Sequence, residues 1–371
     1  MTALFGSRVQ AGDELLDEPL RRLRERCREV APDLRELGMA LDRDPDAIVD
    51  HLDLPAFRLL DQVFTPPEFQ TRPGAEPFDP TCTAMVVLLE AISHGDPNAI
   101  LAAPGPSLSR DVVRELGDDT QRADYFGRIA DGPKWTFFGL TEPGKGSAAL
   151  ELETRLTPSP DGDGFLLNGA KRYIGNGARA QVGVVFCRRA PGPWGIEAVV
   201  VDPADRVLGR HRPPSRRGVY GALHALLRFR PGLAAMTLGQ TRAVCDYLRA
   251  HRPLLSTWDK SRVDGLEDRV AAVLRATLEV ARDVDHGVVN QHRIGAVKMR
   301  AAQLGERATI LAAELLGPAS LIEHPWLEKA YRDLRAFEFM EGTSNLHRLS
   351  VFQGLLKNDF FREGEADASR D

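Results

Sequence analysis

Trp135-Thr-Phe-Phe-Gly-Leu-Thr-Glu-Pro-Gly-Lys-Gly-Ser147 is where the chain changes its period. Apolar and aromatic residues suited to a pleated strand run to Leu140, and a Pro-Gly pair with a second glycine then breaks it. Four more short segments follow: Ala149-Leu-Glu-Leu-Glu-Thr154, Gly164-Phe-Leu-Leu-Asn168, Val182-Gly-Val-Val-Phe186 and Ile196-Glu-Ala-Val-Val-Val201. Gly, Pro, Asp and Asn separate them, so each reads as a strand ended by a turn. Five strands at such close spacing predict a small antiparallel β-domain rather than βαβ units.

On both sides of this region the period is helical. From Asp13 to about Ala130, Leu15, Leu16, Leu20 and Leu23 recur at helical spacing among Arg and Glu. A Pro-rich passage from Thr65-Pro66-Pro67 to Phe78-Asp79-Pro80 predicts a loop. Met85-Val-Val-Leu-Leu-Glu-Ala-Ile92 predicts an apolar helix, stopped by His94-Gly95-Asp96-Pro97. After Pro104-Gly105-Pro106 another helix begins, with Ser107 or Ser109 as its N-cap. Beyond about Ala222 the spacing predicts helices over Leu233–Arg249, Leu266–Val289 and Ile294–Leu316, closed by Gly317-Pro318. A last helix is expected from about Asn345 to Leu356. The chain is thus mostly α with a central β-domain: a helical domain over 1–131, a β-domain over 132–215 and a helical bundle over 216–371.

Composition narrows the function. The 371 residues are 43% hydrophobic and 27% charged, as in folded globular proteins. A formal net charge of −5 gives no basic field for nucleic acid or an acidic membrane, so neither is expected as a partner. No uncharged apolar run approaches the ~20 residues that span a bilayer. Met1 to Gln10 does not have the cationic-then-apolar pattern of a signal peptide, so a cytoplasmic location is expected. Cys27, Cys82, Cys187 and Cys245 lie far apart, with no metal-ligand spacing and no disulfide framework.

Three segments carry residues suited to chemistry. In Thr141-Glu-Pro-Gly-Lys-Gly-Ser147, two glycines let successive N–H groups approach an anion such as a pyrophosphate, with Thr141 and Ser147 as hydroxyl donors. A plain Pro-Gly turn between strands accounts for the same residues. In Asn168-Gly-Ala-Lys-Arg-Tyr-Ile-Gly-Asn-Gly177, the Asn-Gly and Gly-Asn-Gly pairs favour turns, and Tyr173 is either an aromatic face for a planar cofactor or a packed surface residue. In Phe339-Met-Glu-Gly-Thr-Ser-Asn345, Glu341 stands between two apolar residues and a Gly-Thr-Ser stretch; facing an apolar pocket, its carboxyl would gain proton affinity by desolvation, which suits a general base. The hydroxyls of Thr343 and Ser344 equally serve as caps of the next helix. His251, His286, His292, His324 and His347 show no paired-ligand or triad pattern and read as packing residues.

Together these segments resemble the signatures of acyl-CoA dehydrogenases. Phe138 to Ser147 is similar to the family's flavin-binding signature, and Leu167 to Gly177 to its next one. Tyr331-Arg-Asp333 followed by Glu341-Gly-Thr-Ser-Asn345 and Arg348-Leu349 is similar to the third, and Gly105-Pro-Ser-Leu with Glu115-Leu-Gly117 also fits. The resemblance covers roughly residues 85–357. It implies an N-terminal helical domain, an antiparallel, barrel-like β-domain and a C-terminal four-helix bundle that forms a homodimer or homotetramer.

It also implies FAD. By position, Leu140 and Thr141 meet the flavin's pyrimidine edge, Gly146 and Ser147 lie near its pyrophosphate, and Tyr173 stands beside the ring. Gly175 occupies a position next to flavin N5 where the family usually has Thr or Ser, and Thr343 and Asn345 match FAD-contacting positions. Glu341 matches the catalytic base, which takes the thioester α-proton while flavin N5 takes the β-hydride. The alternative base position, just before a helix-starting Arg, is held here by Phe229 before Arg230-Pro231. Arg230, Ser147 and Gly342 are expected at the acyl-CoA or acyl-carrier-protein substrate, and an electron-transfer flavoprotein or another acceptor is the expected partner.

Two further departures stand out. Tyr247 to Ser256 lacks the family's Phe-Gly after its Arg, leaving His251 or Arg252 to reach a phosphate. Only about thirty residues separate Val201 from Arg230, so the β-domain reads as truncated. A flavin-dependent oxidase or oxygenase on the same scaffold, and an FAD-free relative acting as a subunit, stay open as alternatives.

Overall fold

In the computed structural model the residues described are 12–70, 81–130, 132–146, 151–160, 164–203 and 218–361. Along the chain come α1 (Glu18–Leu41), α2 (Pro55–Phe64), α3 (Cys82–Ser93), α4 (Pro97–Ala102), α5 (Ser109–Leu116) and α6 (Asp119–Ala130). The strands are β1 (Thr136–Gly139), β2 (Arg155–Pro158), β3 (Phe165–Asn168), β4 (Val182–Arg188) and β5 (Ile196–Val201). Helices α7 (Gly218–His251), α8 (Thr257–Asp285), α9 (Gln291–Leu316), α10 (Ser320–Glu323), α11 (Pro325–Phe337) and α12 (Ser344–Leu356) complete it. The chain divides into two compact units. One is formed by Met1–Leu59, Pro80–Leu101 and Leu227–Asp371, the other by Leu60–Asp79 and Ala102–Leu226.

In the first unit α3 is the centre, with every residue from Cys82 to Ser93 buried. A helix apolar on all sides belongs in the middle of a bundle, and α1 and α8 pack against it. Its first turn is capped twice. Thr81 accepts from the Ala84 N–H, and Asp285 at the end of α8 accepts from the N–H groups of Cys82 (2.6 Å) and Thr83 (2.9 Å). The predicted stop at Gly95-Asp96 is a close approach, since a Cβ on Gly95 would lie 1.9 Å from the Ala31 carbonyl oxygen. Asp96 then caps α4 and pairs with Lys329 Nζ at 2.6 Å, while Lys329 also holds Asp333 at 2.7 Å. Asp333, quoted above from the third signature, is therefore part of a buried ionic clamp between α4 and α11. Gly317 ends α9 at φ 101, as the Gly-Pro pair requires.

The second unit holds the sheet. Four of the five predicted strands form. The segment predicted over 149–154 is not a strand in its described residues, 151–154, and β2 follows it instead; the pairing is mixed rather than purely antiparallel. The successive pairs β2–β3 and β4–β5 are antiparallel, while β1 runs parallel to β4 from Thr136↔Val182 to Gly139↔Val185 and β2 meets β4 in parallel at Arg155↔Arg188. The reason is the connection: β1 reaches β4 only after the long excursion over residues 140–181, which turns the direction twice. Strand β2 starts only at Arg155, because the Glu142 carboxylate takes the N–H groups of Glu153 and Thr154 that a ladder would have used. Val112, Val113, Leu116, Tyr125 and Phe126 from α5 and α6 pack on Val182, Val184 and Phe186 of β4 to form this unit's core.

Helix α7 starts at Gly218, fifteen residues before the predicted Leu233, and carries Pro231 inside it. A proline removes one helical donor, and the apolar spacing on both sides carries the helix through. The caps Ser107 and Ser109 behave differently from the prediction: Leu108 is the cap residue of α5, and Ser107 Oγ accepts from the Ser109 N–H at 3.4 Å.

Candidate active site

Glu341 lies in the turn between α11 and α12. Its φ of 56 places it in the left-handed region, which a side chain rarely adopts, and Gly342 follows at φ 98. Three helices hold this turn. From α7, Arg230 Nε donates to the Glu341 carbonyl at 3.0 Å. From α9, Lys298 Nζ donates to the carbonyls of Glu338 (3.0 Å) and Gly342 (2.6 Å). On α12, the His347 ring lies against Gly342, where a built Cβ would be 3.3 Å from Nε2. The backbone of the turn is thus tied at both ends and its side chain is left free.

The carboxyl is the unusual group. Glu341 as a residue is half-buried, but its Oε2 is enclosed and has no hydrogen-bond partner among the described residues. Burial pushes the carboxyl up to about 7, with the positive charges of Arg230 and Lys298 pulling the other way. Burial also pulls the Lys298 ammonium down to about 8 and, with Arg230 and Lys298 adding to it, the His347 imidazole down to about 4. The carbonyls of Glu341 and Gly342 oppose that fall without reaching hydrogen-bond geometry, so His347 Nε2 is also buried and unpartnered. The Glu341 N–H likewise donates to nothing among the described residues. A polarised carboxyl, a free amide donor and two nearby cations can take up a proton and stabilise a developing negative oxygen.

The cap of α12 is not the one expected. Thr343 occupies the cap position without using its side chain, and Glu338 accepts from both the N–H (2.8 Å) and the hydroxyl (2.6 Å) of Ser344. Asn345 is exposed and accepts from Arg348 at 3.2 Å.

The second unit brings the other two signature segments together. Arg172 donates its backbone N–H to the Thr141 carbonyl at 2.9 Å, and Lys171 Nζ reaches the Leu140 carbonyl (3.2 Å) and the Glu142 carboxylate (2.7 Å). Burial alone would raise Glu142, but the hydrogen bonds from Lys171, Thr154 and the amide of Glu153 outweigh it and hold the carboxyl at about 2. Leu140 packs on the sheet core. Tyr173 sits at φ 58 with 80% of its surface exposed, and the Arg172 guanidinium stands 4.6 Å from its ring centre. Beside these residues, Gly144, Gly146 and Gly175 face open space, since a Cβ on any of them would meet nothing within 4 Å. Ser147 lies outside the described residues.

Sequence reading missed Lys298 and Glu338, while His347, read as a packing residue, packs against Gly295 and Gly342. Lys298 did leave a signal: it follows Ile294 by four residues and precedes Ala301 and Ala302, so it occupies a core register in α9. His251 and Arg252 are engaged elsewhere. His251 stacks on Tyr247 at 3.8 Å, and Arg252 donates to the Leu315 carbonyl at the end of α9.

Comparison with known proteins adds independent weight. The model of the acyl-CoA dehydrogenase middle domain matches residues 137–230, and that of the acyl-CoA dehydrogenase C-terminal domain matches residues 216–356. The human mitochondrial very long-chain specific acyl-CoA dehydrogenase is 26% identical over 281 residues, which is 64% of this chain and 43% of that protein's own length. The solved structure of butyryl-CoA dehydrogenase from Megasphaera elsdenii superposes with a TM-score of 0.77 at 19% identity, covering 92% of this chain and 99% of the other. A prolyl acyl carrier protein oxidase superposes with a TM-score of 0.75 at 15% identity, with the same coverage.

Proposed function

This chain belongs to the acyl-CoA dehydrogenase superfamily, and from that premise we propose that it catalyses FAD-dependent α,β-dehydrogenation of an acyl thioester, with Glu341 as the base. The observation that carries the reading is the enclosed, unpartnered Oε2 of Glu341, held in a left-handed turn and raised to about 7 by burial. A carboxylate with an ordinary proton affinity is too weak a base for a thioester α-carbon; one poised near neutrality is better matched. The Glu341 N–H, free among the described residues, is the donor for the thioester oxygen as the α-proton leaves. Arg230, bonded to the Glu341 carbonyl, fixes that donor's direction. Gly342 permits the turn that aims both groups.

The residues of the second unit suit FAD. Open space beside Gly144, Gly146 and Gly175 is room a cofactor can fill, and Tyr173 offers an exposed aromatic face. Leu140, Thr141, Gly146, Tyr173 and Gly175 would hold it there. When bound, FAD supplies the acceptor for the β-hydride. Electrons would pass on to a separate acceptor such as an electron-transfer flavoprotein, and the acyl carrier would be coenzyme A or a carrier protein's phosphopantetheine arm. A homodimer or homotetramer is the expected assembly.

The test is the visible absorption spectrum of the purified protein, recorded before and after adding FAD and then an acyl thioester without oxygen. A flavin band that bleaches on thioester addition is the expected result. Protein that takes up no FAD would overturn the reading in favour of a non-catalytic subunit.

A further inference from the structure

Lys298 is only 2% exposed, and among the described residues it forms no ion pair. Its ammonium is satisfied by two backbone carbonyls alone. A buried cation without a counter-ion costs stability, and a well-packed apolar side chain of the same volume would usually serve a helical core as well or better. The neighbours in its own register, Ile294, Ala301 and Ala302, are apolar. The charge therefore needs an account other than packing.

Its two acceptors supply one. Glu338 and Gly342 bracket the turn that carries Glu341, so one side chain from α9 closes that turn across its base. The same α9 face makes room for His347: a Cβ on Gly295, three residues earlier, would lie 2.7 Å from His347 Nδ1. The charges acting on the Glu341 carboxyl are Arg230 from α7 and Lys298 from α9; Glu338 in the turn acts on Lys298, and the His347 ring from α12 lies against Gly342. Glu338 is occupied by Ser344, and His347 is neutral above about pH 4. Arg230 keeps its charge throughout the working range. Lys298 is the remaining cation, near Glu341 without pairing with it.

Resting on the reading of Glu341 as the base, we infer that Lys298 is a positioning residue: it pins the Glu341 turn through two carbonyls and sets the carboxyl's proton affinity as an unpaired positive neighbour. Without that charge, Glu341 would hold its proton to a higher pH, and less of it would be ionised at neutrality. A direct salt bridge would do the reverse and hold the carboxyl far too weakly basic. Two carbonyl acceptors engage the ammonium, and among the described residues it forms no ion pair with the carboxyl.

The experiment reads the proton on Glu341 in the full-length protein, with no thioester present. The protonated-carboxyl infrared band that is absent from Glu341→Gln is titrated in wild type, Lys298→Met, Lys298→Gln and Lys298→Arg. The neutral variants are expected to move that titration upward by about half a pH unit or more, and Lys298→Arg to leave it near wild type. Either neutral variant suffices if the other does not fold. A titration that stays at the wild-type pH in a folded neutral variant would overturn the inference and leave Lys298 a purely structural tether. This readout is separate from the spectral test of dehydrogenation, so the two proposals fail independently.

Discussion

Two carboxylates, one in each unit, show how the same side chain is put to opposite uses. Glu142 in the strand unit is buried and saturated, accepting from Lys171 and from the amides of Glu153 and Thr154, and it stays ionised to about pH 2. Glu341 in the helical unit is enclosed and unsatisfied, tied only through its backbone, and it is raised to about 7. The first joins the two loops expected at the flavin, and the second stands ready for a proton. Hydrogen-bond satisfaction, more than burial, separates the strut from the proposed base.

The strongest way to break that comparison is Glu341→Gln. If the group acts as a base, the variant retains flavin while its turnover falls by at least ~10²-fold. Near-normal turnover in steady-state assays with a thioester would end the assignment. In wild type, kcat/KM should rise with pH through about 7 as the carboxyl ionises.

Glu142→Ala should act on stability, costing about 2–3 kcal/mol in urea unfolding because Lys171 loses its carboxylate and two amides lose an acceptor. The pH signs are opposite for the two residues. The folded pKa of Glu142 lies below the unfolded value of about 4.3, so its contribution is present above that pH and is lost as pH falls toward about 2. The folded pKa of Glu341 lies above the unfolded value, so its contribution is full below about 4.3 and is lost as pH rises through about 7.

Gly342→Ala is a smaller perturbation, expected to lower stability by about 1–2 kcal/mol in thermal unfolding, because its φ of 98 disfavours any side chain. Gly175→Ser should be smallest. Its φ is not positive and its Cβ meets open space, so unfolding should shift by less than about 0.5 kcal/mol. A large loss there would mean the loop is packed more tightly than described.

The sequence made the layout and the turn legible. The period change at Trp135, the Gly317-Pro318 stop and the apolar-flanked Glu341 each rest on local residue chemistry, and each is where local chemistry places it. The comparisons bear out the family. What stayed hidden depends on partners remote in the chain. Lys298 meets carbonyls forty and forty-four residues away, and the lysine-aspartate clamp joins Lys329 to Asp96 across 233 positions. The parallel pairing of β1 with β4 depends on a forty-residue excursion whose direction no local pattern encodes. The early start of α7 at Gly218 stayed hidden for a related reason: Pro231 inside a long helix is carried by packing on either side.

The His347 ring, held between Gly295 and Gly342, also constrains how this chain can change over time. An alanine at Gly295 collides with the ring unless position 347 has already shrunk. A smaller residue at 347 in turn opens a void against the turn that carries Glu341. Substitutions here are therefore order-dependent, and the three positions are expected to drift together as one heritable unit.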